Sequence, residues 1–395
     1  MSSREAIVFK KGIEAATLSS SGGVVEFSYR SDYLDRASPA VASSLPKSAA
    51  VITLPAGATP PFFAGLLPEG QRLVAMRERL KTSLSDELGL LLDIGSDLIG
   101  DVQVLAPGVD PAAVRETLFL PKDPSDYSFD EIRAEVFGSR ASGLPGVQDK
   151  VSSKMLNAPV RYSGYDYLLK LNPTDVPLAV ENEHLFLRLA KKSGIPVSDS
   201  ELLTDRDGQH ALRLRRFDRI VSDGKVFRIA QEDAAQVMNI YPAAKYEVDF
   251  IDLAKNLISL CPAQKPAALS LFRLLIFNWL IGNGDAHAKN FSVLEPSAGV
   301  WVIAPAYDLL CTRFYDDRTM ALPLWGENSG WTRALFLETA REINLPEQLA
   351  HKELDRILEA LSALPDEIQT GALPFPLHLR NDVAGFLKKR ANALR

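Results

Sequence analysis

Residues 283–290, NGDAHAKN, place two amides, a carboxylate, an imidazole and an ammonium within one turn-sized stretch. A surface turn needs polar residues but not this set. Asp285 can orient an attacking hydroxyl and accept its proton. The carbonyl of Asn290, five positions on, is a hard oxygen suited to magnesium. Lys289 can neutralise charge on a transferred phosphoryl group. His287 is open between a nucleotide contact and a structural hydrogen bond. Asn283 and Gly284 read as turn chemistry.

Three more stretches carry compatible chemistry. GSRASGLPGVQDK (138–150) has three glycines, Gly138, Gly143 and Gly146, that let backbone N–H groups approach phosphates. In YDYLLKLN, Lys170 interrupts an apolar strand pattern. A buried lysine needs an anion, and Glu183 stands 13 residues on, at the start of an apolar helix. In VIAPAYDLLCT a short strand delivers Asp308, 18 residues beyond Asn290. Each has an ordinary alternative: a plain loop, a snorkelling lysine, a helix cap. Their order does not. Glycine loop, strand lysine, helix glutamate, base with asparagine, and metal aspartate follow one another as in protein kinases.

The elements that must position these groups divide along the chain. Residues 1–120 read as short alternating strands (AIVFKKG, VVEFSY, AAVITLP), with a Pro/Gly turn leading into an amphipathic helix in PFFAGLLPEGQRLVAMRERL. FLPKDPSDYSF (119–129) reads as a linker. Residues 121–245 favour strands, with a helix near 180–194, and 246–395 are mostly helical. The expected fold is therefore α+β and bilobal: a strand-rich N-lobe, a helical C-lobe and an extra N-terminal α/β subdomain, with a ligand cleft between the lobes.

Composition narrows the functions. The chain has 395 residues, 46% hydrophobic and 24% charged, with a net charge of −6. It can hold two or three domains, and its charge opposes bulk attraction to nucleic acid or anionic lipid. Two cysteines, Cys261 and Cys311, form no CxxC and fit a reducing cytoplasm. The first residues carry no signal-peptide pattern, and the apolar run at 274–281 is too short for a bilayer. Five histidines without paired spacing disfavour a metal hydrolase.

The motifs LPGVQDK, YLLKLN, ENEH, RRFDR, RIAQED, NWLIGNGDAHAKNFSV and PAYDLL together resemble the HipA-type serine/threonine kinases, the toxins of bacterial toxin–antitoxin modules. FFAGLLPEGQR (62–72) and DIGSDLIGDVQV (93–104) are similar to that family's N-terminal subdomain. The resemblance spans roughly residues 50–320.

It implies ATP and Mg2+ as cofactors, Asp285 as catalytic base assisted by Lys289, and Asn290 and Asp308 as magnesium ligands. Pro145, Gly146, Val147, Gln148, Asp149 and Lys150 would form the loop over the phosphates, and Lys170, with its partner Glu183, would contact them. Arg215, Arg216 and Phe217 would supply the hinge at the adenine, with Gln231 and Tyr307 completing the pocket. His287, Ala288, Lys289 and Asn290 would line the phosphate side. The family's self-phosphorylated loop serine aligns with Gly143, which leaves Ser142 and Ser139 beside it as candidates. The implied partners are a protein substrate, with aminoacyl-tRNA synthetases recurring in the family, a helix-turn-helix antitoxin and, mainly through that antitoxin, operator DNA. FLKKRANALR (386–395) could add basic contacts to that DNA, although a solvated helix end explains it as well. A small-molecule kinase of related fold and a catalytically silent co-repressor are the alternatives.

Overall fold

The computed structural model describes residues 3–83, 85–113, 118–137, 155–173 and 175–395. It is a mixed α/β chain in which sheets dominate the first 233 residues and helices the remainder.

The first sheet is antiparallel, in the order β4-β3-β2-β1-β5, from β1 (Arg4–Lys10), β2 (Ile13–Ser21), β3 (Val24–Tyr29), β4 (Ile52–Leu54) and β5 (Val102–Leu105). Its alternation is plain in β3, where Val25, Phe27 and Tyr29 enter the core and Val24 and Glu26 face out. The helices Pro61–Leu66 and Glu87–Ile94 supply Phe62, Phe63, Leu88 and Leu91 to the same core.

A second sheet runs β6-β7-β8-β10-β9, from β6 (Leu118–Phe119), β7 (Leu156–Tyr162), β8 (Tyr165–Leu171), β9 (Ser200–Thr204) and β10 (His210–Arg215). Successive strand residues point to opposite faces. In β8, Leu169 and Leu171 therefore pack under the sheet with Leu156 and Ala158, while Lys170 points the other way. The helix Ala179–Lys192 covers that other face. Its buried stripe is Val180, Glu183, Phe186, Leu187 and Ala190, so 3.6-residue periodicity aims Glu183 at the sheet. Beyond a hairpin, β11 (Arg219–Ser222) with β12 (Lys225–Arg228), a third sheet orders β13-β14-β15 from Ala230–Asp233, Ser292–Ser297 and Val300–Ile303. KVFRIAQED thus divides between β12 and β13, with the Ile229 amide extending the β11–β12 pairing by donating to the Asp218 carbonyl at 3.0 Å before the chain enters β13.

The largest core joins the helix Ala179–Lys192 to the helices Phe250–Leu260, Gln264–Ile281, Arg333–Glu342, Glu347–Ala360 and Leu377–Ala393. Gln264–Ile281 is buried around most of its circumference, from Leu271 through Ile281, which is why its sequence shows no polar face. Among the described residues, no helix is long and apolar enough to cross a membrane.

The N-terminal core is tied to the rest by polar contacts rather than a shared apolar core. Asp97 sits 3.0 Å from both Arg216 and Arg219, and the Gly100 amide donates to Asp218 at 2.9 Å. Ser43 donates to Glu232, and Gln236 donates to the Phe62 carbonyl at 2.9 Å.

Candidate active site

The helix Gln264–Ile281 ends at Gly282, whose φ of 74° only glycine adopts freely. A Cβ there would approach the Phe386 ring to 3.1 Å and the Cys311 sulfur to 3.4 Å. The chain turns back with Asn283 N–H bonded to the Asn278 carbonyl at 2.9 Å. Asn283 is more than turn chemistry. It is 1% exposed, and its side-chain amide donates to Asn278 Oδ1 at 2.9 Å and to the Asp308 carbonyl at 3.1 Å. Gly284 is required by space: a Cβ would lie 2.4 Å from the Thr319 carbonyl and 2.6 Å from Asp317 Oδ2. Its amide donates to Thr312 Oγ1 at 2.8 Å.

Asp285 follows, 2% exposed, with Oδ1 accepting from the Tyr246 hydroxyl at 3.0 Å. Burial first, and then the Asp285 charge, raise the Tyr246 hydroxyl above its ordinary pKa, so it stays a donor. A short 3-10 turn, Ala288–Asn290, closes the loop. Asn290 Oδ1 accepts from the His287 amide at 3.0 Å while its Nδ2 donates to Asp308 Oδ2 at 2.8 Å.

Lys170 meets both oxygens of Glu183 at 2.8 Å and also bonds Asp308. Lys170 and Glu183 are 2% and 0% exposed. Burial alone would lower the lysine pKa, but Asp308 and Glu183 overcome it and hold Lys170 cationic. Burial pushes the Glu183 carboxyl up against the pull of the same ammonium. Asp308 has φ 53°, a left-handed conformation that costs a non-glycine residue about 1–3 kcal/mol. Its amide bonded to Glu183 at 3.2 Å and its carbonyl bonded to Asn283 over-determine it. Asn182, fully buried, adds a two-way clamp on Cys311, at 3.0 Å to its carbonyl and 2.9 Å from its amide. Four of the candidate residues thus converge, Lys170, Glu183, Asn290 and Asp308, and Asp285 stands on the same loop as Asn290.

Lys289 sits differently from the expectation. Its ammonium donates to the Gly65 carbonyl at 3.0 Å and lies 2.8 Å from Glu69 Oε1, both in the N-terminal part. His287 is 5% exposed and held neutral, its pKa pushed down to about 3 by burial and by Lys245. Its Nδ1 has no hydrogen-bond partner among the described residues, and its ring meets Tyr246 edge-on at 5.1 Å. Ala288 is buried, its amide bonded to the Lys245 carbonyl at 3.0 Å.

The residues expected at the adenine separate. Phe217 packs against Tyr307 with ring centroids 5.9 Å apart, and the Tyr307 hydroxyl donates to the Lys289 carbonyl at 2.6 Å. Gln231 lies in β13 opposite Leu294. Arg215 stacks on Tyr165 at 4.2 Å. The Arg216 side chain goes elsewhere, to Asp97 at 3.0 Å and Asp218 at 2.8 Å, because a buried guanidinium needs carboxylates. Pro145, Gly146, Val147, Gln148, Asp149, Lys150, Ser139 and Ser142 lie outside the described residues. Sequence reasoning missed Glu69, Asn182, Lys245 and Tyr246. Glu69 lies in FFAGLLPEGQR, where an acidic residue beside a Pro/Gly turn was the available signal. Asn182 sat in ENEH as a polar residue on an apolar helix.

Comparison with known proteins gives a consistent context. The HipA-like C-terminal domain family matches residues 142–364 and the HipA N-terminal domain family matches residues 6–105. The chain is 31% identical over 320 residues to Y4mE of Sinorhizobium fredii, a protein named as a kinase, covering 75% of this chain and 74% of that one. It is 26% identical over 367 residues to the serine/threonine-protein kinase toxin HipA of Shewanella oneidensis, covering 82% and 80%. A structure of Shewanella oneidensis HipA with HipB and operator DNA superposes with a TM-score of 0.75 at 20% identity, over 98% of this chain and 97% of that one.

Proposed function

The chain belongs to the HipA family, and from that premise we propose that it is an ATP-dependent serine/threonine-protein kinase acting as the toxin of a toxin–antitoxin module. The observation that carries this reading is the convergence of Lys170, Glu183, Asn290 and Asp308 beside a buried Asp285. Residues 121–245 then form the N-lobe and 246–395 the C-lobe, with 1–120 the added subdomain.

Each residue has a distinct task. Glu183 holds the Lys170 ammonium where it meets the nucleotide phosphates. Asp285, oriented by Tyr246, accepts the proton of a serine or threonine hydroxyl as its oxygen bonds to the γ-phosphorus and the bond to the β-phosphate oxygen breaks. Asp308 and Asn290 would hold magnesium through a carboxylate and an amide oxygen, the latter once the Asn290 side chain turns from the His287 amide that its oxygen now accepts from and from Asp308, which its nitrogen now meets. The ion, held by these residues, would supply positive charge against the negative charge of the transferred phosphate. The Phe217 and Tyr307 rings offer an apolar surface to the adenine, and the unpartnered His287 Nδ1 can serve the phosphate side. The antitoxin and operator DNA seen with the Shewanella HipA support a DNA-binding antitoxin as partner here.

Purified protein, radiolabelled ATP and a cell lysate, resolved on a gel, test the reading. Labelled protein bands are expected. Label confined to small molecules would point to a small-molecule kinase instead. Asp285→Asn is expected to lower transfer by about 10²- to 10⁴-fold while the fold survives; undiminished transfer would remove Asp285 as base.

A further inference from the structure

Glu69 stands just before the helix Gly70–Leu80, in the N-terminal part of the chain, yet both of its strong contacts lie at the catalytic loop. Lys289 approaches Oε1 at 2.8 Å, outside hydrogen-bonding geometry, and Lys245 bonds Oε2. Three side chains form one ionic cluster that is largely shielded: Lys245, Lys289 and Glu69 are 9%, 14% and 29% exposed. Ion pairs so shielded are screened less by salt than surface pairs.

Both lysines are built into the loop's support. The Lys245 carbonyl accepts from the Ala288 amide, and its neighbour Tyr246 donates to Asp285. Lys289 is next to Asn290, and its carbonyl accepts from Tyr307, next to Asp308. One carboxylate from residues 1–120 therefore draws together the two stretches that place the base and the metal-binding asparagine. Close packing supports the clasp nearby. Lys289 also donates to the Gly65 carbonyl, and a Cβ on Gly65 would come within 2.9 Å of the Gln236 side chain.

We infer that Glu69 is a positioning residue for phosphoryl transfer, through which the N-terminal subdomain holds the catalytic loop in its working geometry. The inference rests on the kinase reading above. The ion pairs of Glu69 reach the loop through Lys245 and Lys289. Loss of the carboxylate frees two ammonium groups to repel each other and lets the 284–291 loop shift. Displacement of a reacting group by about 1 Å costs on the order of 10²-fold in rate.

The test uses the full chain with Glu69→Gln and the conservative Glu69→Asp. In Glu69→Gln, kcat is expected to fall by roughly ten- to a hundredfold while the KM for ATP holds, and Glu69→Asp is expected to recover most of the rate. A role in folding alone would lower apparent kcat at constant KM in the same way, so rates are taken per mole of folded protein, and a wild-type kcat on that basis would count against the inference. Hydrogen exchange supplies a readout independent of catalysis: amides of 284–291 are expected to exchange faster in Glu69→Gln, with those of β8 unchanged. Wild-type kcat together with unchanged exchange at 284–291 would overturn the inference. If the wild-type chain transfers no phosphate, the kinase reading fails. Exchange then decides the clasp by itself: faster exchange at 284–291 upholds it, and unchanged exchange removes it.

Discussion

Replacing Glu183 by glutamine removes one charge from a buried ionic cluster and changes almost nothing in shape. The Lys170 and Glu183 side chains are 3% and 0% exposed, so water screens their attraction little. Breaking a buried pair costs about 3–5 kcal/mol, chiefly because the remaining charge is left without a counterion. Here the remaining ammonium keeps Asp308, and a glutamine oxygen can still accept the Asp308 amide. The expected loss is therefore below that range, about 2 kcal/mol. With Glu183 neutral, Lys170 is also drawn toward Asp308, the residue proposed to hold magnesium, so transfer should fall together with stability. Urea unfolding of wild type, Glu183→Gln, Lys170→Met and the double variant gives a thermodynamic cycle. Contacting residues in one ionic network couple by about 0.5–3 kcal/mol, and this pair should lie in the upper half. Coupling near zero, or a Glu183→Gln protein with wild-type stability and wild-type transfer, would refute the account of Lys170 as a lysine held by Glu183.

Gly284→Ala forces a methyl against the Thr319 carbonyl and the Asp317 carboxylate. It should destabilise by about 1–3 kcal/mol in urea titration and reduce transfer, since Asp285 is the next residue. Glu69 has its carboxyl drawn down from 4.5 to about 2, because Lys289 and Lys245 overcome the effect of burial. A depressed carboxylate contributes stability above its unfolded pKa and loses it as pH falls through the folded one. The wild type should therefore lose about 3 kcal/mol from this group between pH 4.5 and 2, an increment missing in Glu69→Gln when urea midpoints are compared across that range.

Much of the site could be read along the chain because its chemistry is local or periodic. Asp285 and Asn290 share one loop, so their spacing survives folding. Glu183 falls on the apolar stripe of an amphipathic helix and Lys170 on the covered face of β8, and those two periodicities alone aim them at each other. VVEFSY and FIDLAKNLISL form a strand and a helix over the expected residues. Glu69 had no such signature. It lies 176 positions from Lys245, and a single acidic residue after a turn looks like any solvated one. Tyr246 and Asn182 were hidden for the same reason: each acts through one hydrogen bond or clamp to a distant segment. Arg216 shows the converse case. RRFDR and DIGSDLIGDVQV were read as separate signals, an adenine hinge and a subdomain mark. In space Asp97 and Gly100 of the second bind Arg216, Asp218 and Arg219 of the first.

That pairing changes how the N-terminal part relates to the chemistry. Two surfaces that only abut can be separated at little cost, and interfaces of this kind move by default. Here the contacts are charged, with Arg216, Arg219 and Arg228 around Asp97 and Lys245 and Lys289 around Glu69. Separation would leave Arg216, Arg219, Lys245 and Lys289 short of counterions in poorly solvated surroundings, which is far costlier than exposing the same area of neutral surface. Residues 1–120 and the 284–291 loop are thus favoured to move together. Any partner that binds residues 1–120 in a way that shifts Glu69 bears on Asp285 through Lys245 and Tyr246 without entering the cleft. A partner with equal affinity for both positions of Glu69 changes nothing, however tightly it binds.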